Sequence, residues 1–269
     1  MTLGQSPAGL ASLYAEIGRD LAPHRRTADA LAAVAGAAAA RVPGAEWASI
    51  TRGRGGSFET VAATDALAYQ VDMIQYELGT GPCVDAILQE TVFWTGDLDA
   101  DRRWPEFGRR AVAAAGVRSM LSFRLFLEDE DDGLIAGLNL YSRQKDAFDN
   151  DAQTVGTLLA THGALAISAA AARERAAHLQ RALLTNREIG VAMGVLMNQH
   201  KIVRRQAFDL LRIASQNTNR KLADIAVEVG DTGTLDLPGQ AAPDRRRPAA
   251  RTSPRRAGAE VAAAPDQNR

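Results

Sequence analysis

Residues 179–229 read LQRALLTNREIGVAMGVLMNQHKIVRRQAFDLLRIASQNTNRKLADIAVEV. Apolar residues return at helical spacing: Leu179, Ala182 and Leu183, Ile189, Met193, Leu196 and Met197. A helix packing lengthwise on a partner needs such a stripe. Asn198, Gln199 and His200 break the pattern, and a second amphipathic segment follows with Ala207, Phe208, Leu210, Leu211 and Ala214 on its apolar side. A second polar break, residues 216–219, leaves Asn219 placed to cap a short third helix carrying Leu222, Ile225, Ala226 and Val229. Gly230 is expected to end it in a left-handed conformation. The stretch therefore predicts three helices, one long, one medium and one short.

Its charge is one-sided. Arg181, Arg187, Lys201, Arg204, Arg205, Arg212, Arg220 and Lys221 face only Glu188, Asp209, Asp224 and Glu228. Most of the basic groups fall near helix ends and turns, where several can meet phosphates together. Charge alone also fits an ordinary solvated helical surface. The order of residues is more specific. Ala182, Leu183, Arg187, Ile189, Ala192, Gly194, Leu196 and Met197 are followed by Ala207, Phe208, Leu211, Arg212, Ala214 and Ser215. Asn219, Arg220, Lys221, Leu222, Asp224, Ile225 and Ala226 complete the series. This order resembles the ANTAR family of RNA-binding antiterminator domains over the whole three-helix length. Met193 departs from it, because many members carry a lysine before the glycine. The resemblance implies recognition of paired RNA hairpins with small loops. Arg187, Arg212, Arg220 and Lys221 are the first candidates for phosphate or base contact, with Lys201, Arg204 and Arg205 next. Ala192, Gly194, Ala207 and Ala214 are small enough to admit either RNA or a neighbouring helix.

The chain has 269 residues, 46% of them hydrophobic, and a net charge of -1. That length suits two modest domains with tails. Near-neutral charge confines any nucleic-acid binding to a local segment. One cysteine excludes an internal disulfide and fits a reducing cytoplasm. No apolar run looks long enough to cross a membrane, and the N-terminus lacks the pattern of a signal peptide.

From the start, helices are expected over 10–22 and 28–41, the second capped by Thr27. Strands are expected at 47–51 and 58–62 around a glycine-rich turn. A helix over 66–78, a tight turn at 79–82, a short helix over 83–89 and a strand at 91–94 follow. Pro105 opens a helix to Ala115, after an Asp-rich loop. The strongest strands, 118–127 and 134–141, flank an acidic tip at 128–132, and a long helix begins near Asp149. This order gives an α+β fold, an antiparallel sheet flanked by helices. Residues 78–86 (LGTGPCVDA), 101–107 (DRRWPEF), 116–122 (GVRSMLS) and 137–142 (GLNLYS) resemble a GAF domain, the small-molecule sensor family. The fold expected is thus a GAF-like sheet followed by a C-terminal three-helix ANTAR domain, a combination similar to the actinobacterial GAF–ANTAR regulators. The divisions are a tail over 1–9, a GAF-like domain over 10–172, the ANTAR-like segment over 173–230, and a tail over 231–269 rich in Arg, Pro and Ala. That tail is too poor in large apolar residues to fold alone. Its arginines fit either a solubilising role or added attraction for RNA.

Leu158, Leu165, Ala172, Leu179, Asn186 and Met193 lie seven apart. Heptad spacing suggests a parallel coiled-coil homodimer in which Asn186 fixes the register. A helix packed on its own domain reads the same way. Cys83 fits a small buried apolar residue better than a reactive thiol. His24, His162, His178 and His200 have no metal-ligand spacing, so no metal and no cofactor is expected. Asp97, Asp99 and Asp101 lack the rest of a calcium loop and are better read as holding their own turn. No nucleophile, phosphate-loop or dinucleotide pattern supports an enzyme. A sensor pocket between sheet and loops would draw on Tyr76, Cys83, Trp94, Trp104, Ser122 and Arg124. The expected function is a cytoplasmic RNA-binding antitermination regulator. The alternative is a sensor whose C-terminal helices serve dimerisation or protein interaction without RNA output.

Overall fold

The computed structural model describes residues 7–89, 92–127 and 135–235. Residues 1–6 of the expected N-terminal tail, most of the C-terminal tail and the acidic tip at 128–132 lie outside them; the remainder of the tail, 7–9, is not a tail but the first turn of a helix. The chain divides into two compact units, 1–184 and 185–269.

In the first unit, β1 (Trp47–Arg54) and β2 (Ser57–Ala63) form a hairpin. Its two-residue turn has Gly55 at φ 57 and Gly56 at φ 83, the double positive φ that such a tight hairpin demands. With β3 (Val92–Thr95), β4 (Ser119–Leu125) and β5 (Ile135–Ser142) they make one antiparallel sheet in the order β2-β1-β5-β4-β3. Strict alternation sorts its faces. Ala48 and Ile50, Leu121, Phe123 and Leu125, Ala136, Leu138 and Leu140 share a core with α1 (Pro7–Leu21), α2 (Thr27–Arg41) and the start of α6 (Asn150–His200). The opposite face packs under α3 (Ala66–Leu78), α4 (Pro82–Gln89) and α5 (Pro105–Ala115), with Val71, Ile87, Trp104, Phe107 and Met120 in its core.

Local chemistry sets most element ends. Asp65 caps α3 by accepting from the Leu67 amide at 2.8 Å. Asp149 does the same for Ala152 at the start of α6. Pro105 opens α5, and Gly116 closes it at φ 68. Thr27 is not the cap of α2. It is the first helical residue, and its amide and hydroxyl both donate to Glu174 Oε2 of α6, at 3.1 and 2.8 Å. A carboxylate from α6 thus sits on the positive end of α2.

Gly108 of α5 lies against the Asp-rich loop. A Cβ there would fall 1.9 Å from the Leu98 carbonyl oxygen, a backbone atom that cannot swing aside. Gly108→Ala gains about 1 kcal/mol of helix propensity but forces α5 off the loop. Overpacking costs of about 1–3 kcal/mol at their upper end prevail. Urea unfolding followed by tryptophan fluorescence should show a net loss of about 2 kcal/mol.

The second unit holds the end of α6, α7 (Arg204–Thr218) and α8 (Leu222–Thr232) around Ala192, Leu196, Ala207, Leu211, Ala214, Ile225, Ala226 and Val229. The three expected helices are present, but two ends differ. Asn219, at φ 53, closes α7 rather than capping α8, whose N-cap is Lys221. Gly230 lies inside α8, which runs on to a left-handed cap at Gly233. Phe208 departs from the apolar side assigned to it: it is exposed and stands outside the core of its unit.

The α6 helix contains an 18-residue window with mean hydropathy 1.5, long and apolar enough by composition to cross a membrane, contrary to the sequence reading. In this fold 44% of that window is buried. Ala152, Val155, Leu159, Ala160, Ala164, Ile167 and Ala170 of α6 belong to the core of the sheet.

Candidate nucleic-acid interface and sensor site

Helix ends place most of the candidate basic residues of the second unit. Lys201 closes α6 in the left-handed region at φ 55, and its ammonium donates to Asn198 Oδ1 at 3.2 Å. Arg204 and Arg205 follow at the exposed start of α7. Arg220 and Lys221 occupy the turn at the other end of that helix, Arg220 pairing with Glu228 at 2.7 Å. Fifteen helical residues put the two groups roughly 22 Å apart. Arg212, between them on α7, pairs with Asp209 at 3.2 Å. Arg187 is exposed on α6, one turn before Val191, where α8 approaches closely enough that a Cβ on Gly230 would lie 3.6 Å from Val191 Cγ1. Such half-exposed pairs are weak and exchange readily for phosphate.

The small residues separate. Ala192, Ala207 and Ala214 are buried in the three-helix core and serve helix packing. Gly194 is exposed, and a Cβ there would meet nothing within 4 Å. Of these four, Gly194 leaves the backbone open to an approaching ligand.

The six sensor candidates are not gathered in one pocket. Trp94 is 47% exposed and borders a shallow cleft with Asp97, Asp101 and Asp146. Trp104 is buried and donates its indole N–H to Asp85 Oδ2 at 2.6 Å. Arg124 donates to the Ile87 carbonyl at 2.8 Å and borders a groove with Val92, Phe126 and Leu165. Tyr76, Cys83 and Ser122 lie on the α3–α4 side of the sheet, and two of them enter a polar network.

That network centres on Asp72, which the sequence reading missed. The Asp72 carboxylate, fully buried, accepts from the Tyr141 hydroxyl, from Asn139 Nδ2 at 3.2 Å and from Thr60 Oγ1 at 2.8 Å. Tyr76 OH bridges Thr51 Oγ1 at 2.7 Å and Thr60 Oγ1 at 2.9 Å. The Cys83 thiol donates to Thr51 Oγ1 at 3.2 Å, and its amide to Gln75 Oε1 at 2.8 Å. Burial pushes the Asp72 carboxyl up to about 6 against the opposing pull of hydrogen bonds from Tyr141, Ser49, Thr60 and Asn139. Burial, with the nearby Asp72 charge, pushes the Cys83 thiol up to about 12, so it is an inert thiol at neutral pH. Gln75 Nε2, Ser122 Oγ and Asn139 Oδ1 are buried without a hydrogen-bond partner among the described residues. Unsatisfied groups of this kind are rare in folded proteins and mark places where a further polar group can be taken. The signal was present in the strands: Ser49, Thr51, Ser122 and Asn139 occupy alternate, inward positions where the neighbouring faces carry only apolar residues.

The Asp-rich loop is held by its own bonds. Asp97 accepts from the Asp99 amide at 3.3 Å, Asp101 from the Arg103 amide at 3.0 Å, and Lys145 and Arg103 pair with them at 2.7 Å.

Residues 25–168, which hold the antiparallel sheet covered by helices on both faces, match the family model of the GAF domain. The match covers more than half of the chain, and the chain belongs to that family. Residues 177–229 match the ANTAR domain, so the protein has the arrangement of a GAF–ANTAR regulator. Both are domains of regulators, and the ANTAR match implies RNA binding. No curated protein matches the sequence. Among solved structures, the chain is similar to the GAF domain of a phosphoenolpyruvate-protein phosphotransferase from Coxiella burnetii. The identity is 16%, the likeness covers 63% of this chain and 99% of that one, and the TM-score is 0.49. It is also similar to free methionine-R-sulfoxide reductase from Neisseria meningitidis in complex with its substrate, at 18% identity over 63% and 92% of the chains, TM-score 0.42.

Proposed function

We propose that this chain is a cytoplasmic transcription antitermination regulator that acts as a homodimer without metal or cofactor. Its GAF domain serves as the sensor, and its ANTAR domain binds paired hairpin loops of a nascent leader RNA. Holding those hairpins keeps an overlapping terminator from forming. The observation that carries this reading is the placement of Lys201, Arg204 and Arg205 at one end of α7 and Arg220 and Lys221 at the other, with Arg212 between. Unpaired loop bases are readable where an A-form stem hides them, and basic groups on either side of a loop hold its phosphates.

Support for a dimer comes from α6. Leu165, Leu179 and Leu183 are 60%, 63% and 61% exposed, and every residue from 175 to 184 is exposed. An isolated helical stretch of this length is marginal in water, and a second copy would bury its leucines. The ends of the heptad are used differently, since Leu158 and Met193 pack on their own units. The same leucines favour the second reading, in which the C-terminal helices are a dimerisation or protein-interaction module.

The two readings separate in one experiment. With a two-hairpin RNA, Arg212→Ala combined with Lys221→Ala should reduce the slope of log affinity against log salt by about 2. Near 0.15 M salt the loss should be roughly 30-fold. Equal binding by the double variant, or binding insensitive to salt, supports the interaction module.

A further inference from the structure

On the strength of the RNA-binding reading, we infer that Phe208 is a stacking platform for an unpaired RNA base, framed by Arg204, Arg205 and Arg212. Phe208 is 40% exposed, and the core of its unit is complete without it: the buried side of α7 is made by Ala207, Leu211 and Ala214. Single exposed apolar residues are ordinary. The surroundings of this one are not. On a helix the neighbours of a side chain stand three and four residues away. For Phe208 these are Arg204 and Arg205 on one side, and Arg212 and the buried Leu211 on the other. All three exposed neighbours are arginines. A part-exposed aromatic ring with arginines three and four residues away along the helix offers one surface for a base and three donors for the phosphates on either side of it.

The same arrangement opposes a second copy of this chain as the occupant. A two-fold contact centred on Phe208 would bring both sets of arginines together, and like charges meeting across an interface are unfavourable. A single-stranded loop has what the patch lacks: negative charge around a flat apolar ring. Stacking tolerates any base, so Phe208 supplies affinity for an unstacked nucleotide, and the choice of base falls to hydrogen-bonding groups beside it.

Stacking and phosphate contact leave different traces. Removing a phosphate contact lowers the salt slope, whereas removing a stacking ring lowers affinity at every salt concentration equally. The test is fluorescence anisotropy of a labelled two-hairpin RNA with small unpaired loops, titrated with the full chain over a series of salt concentrations. Phe208→Ala should weaken binding about 5- to 150-fold with an unchanged salt slope, and Phe208→Tyr should restore it. Replacing the stacked loop nucleotide with an abasic one should weaken the unaltered protein by a similar factor and cost the Phe208→Ala protein nothing further. Circular dichroism and sedimentation of the variant should match the unaltered protein.

Wild-type affinity in Phe208→Ala would overturn the inference. So would losses from the protein and RNA changes that multiply at every loop position, or a loss of RNA binding that tracks a loss of dimer. Failure of the unaltered protein to bind the RNA would instead remove the RNA-binding reading, and this inference with it.

Discussion

Replacing Asp72 with Asn should abolish a loss of stability of about 3 kcal/mol that the unaltered protein suffers between pH 4 and pH 6. The Asp72 carboxyl is fully buried and stands at about 6, against 3.8 in the unfolded chain. Below pH 3.8 both states hold the proton, and the group is neutral in each. Between 3.8 and 6 the folded state keeps the proton while the unfolded state releases it, so stability falls as pH rises. Above 6 the folded protein carries the full cost of a buried charge. Asparagine avoids that cost and can keep the bonds: its Oδ1 accepts from Tyr141 and Asn139, and its Nδ2 donates to Thr60, whose hydroxyl turns to Tyr76. Urea unfolding of both proteins at pH 4 and pH 7, read by tryptophan fluorescence, measures the difference. The carboxyls of Glu46 and Asp101, held low by arginine, slope the other way but cancel between the two proteins. Parallel pH profiles would show that Asp72 is not the titrating group.

Leu211→Ala should unfold the ANTAR unit selectively. Leu211 is fully buried in a core that has eight buried residues among those described, so little surrounds the site to collapse into the space left. Deletions of this kind cost about 2–5 kcal/mol, and a unit this small has few more to lose. Trp47, Trp94 and Trp104 all lie in the first unit. Heating should therefore reveal a new, low-temperature loss of helical circular dichroism that tryptophan fluorescence does not follow, together with loss of RNA binding. A single transition seen equally by both probes would show that the two units unfold as one.

The same particulars show how much was legible. The helices and strands of the described residues follow from periodicity, and some of their ends from Gly and Pro; Thr27 was expected to cap α2 and instead lies inside it. Asn219 and Gly230 misled because both residue types serve more than one place in a helix end. Asn219 adopts the left-handed conformation that closes α7, and α8 runs past Gly230 because Leu235, beyond Gly233, packs back on the core. Phe208 misled because helical spacing gives an apolar stripe wider than this small core can cover. The basic residues of the ANTAR unit were legible as charges; that Lys201, Arg204 and Arg205 share one turn required only the helix boundaries. The polar layer around Asp72 was not legible as a cluster. Its members come from α3, α4, β1, β2 and β5, and only the register that sets Ser49 opposite Asn139 and Thr51 opposite Gly137 brings them together. Trp94 and Arg124, chosen for a place between sheet and loops, border two other clefts.

The most direct measurement is the affinity of the full chain for a two-hairpin leader RNA across salt concentrations. Four or more phosphate contacts predict a slope of log affinity on log salt of about -3 or steeper. Tight binding with a slope near zero, or no binding by the folded protein at any salt, would contradict the account.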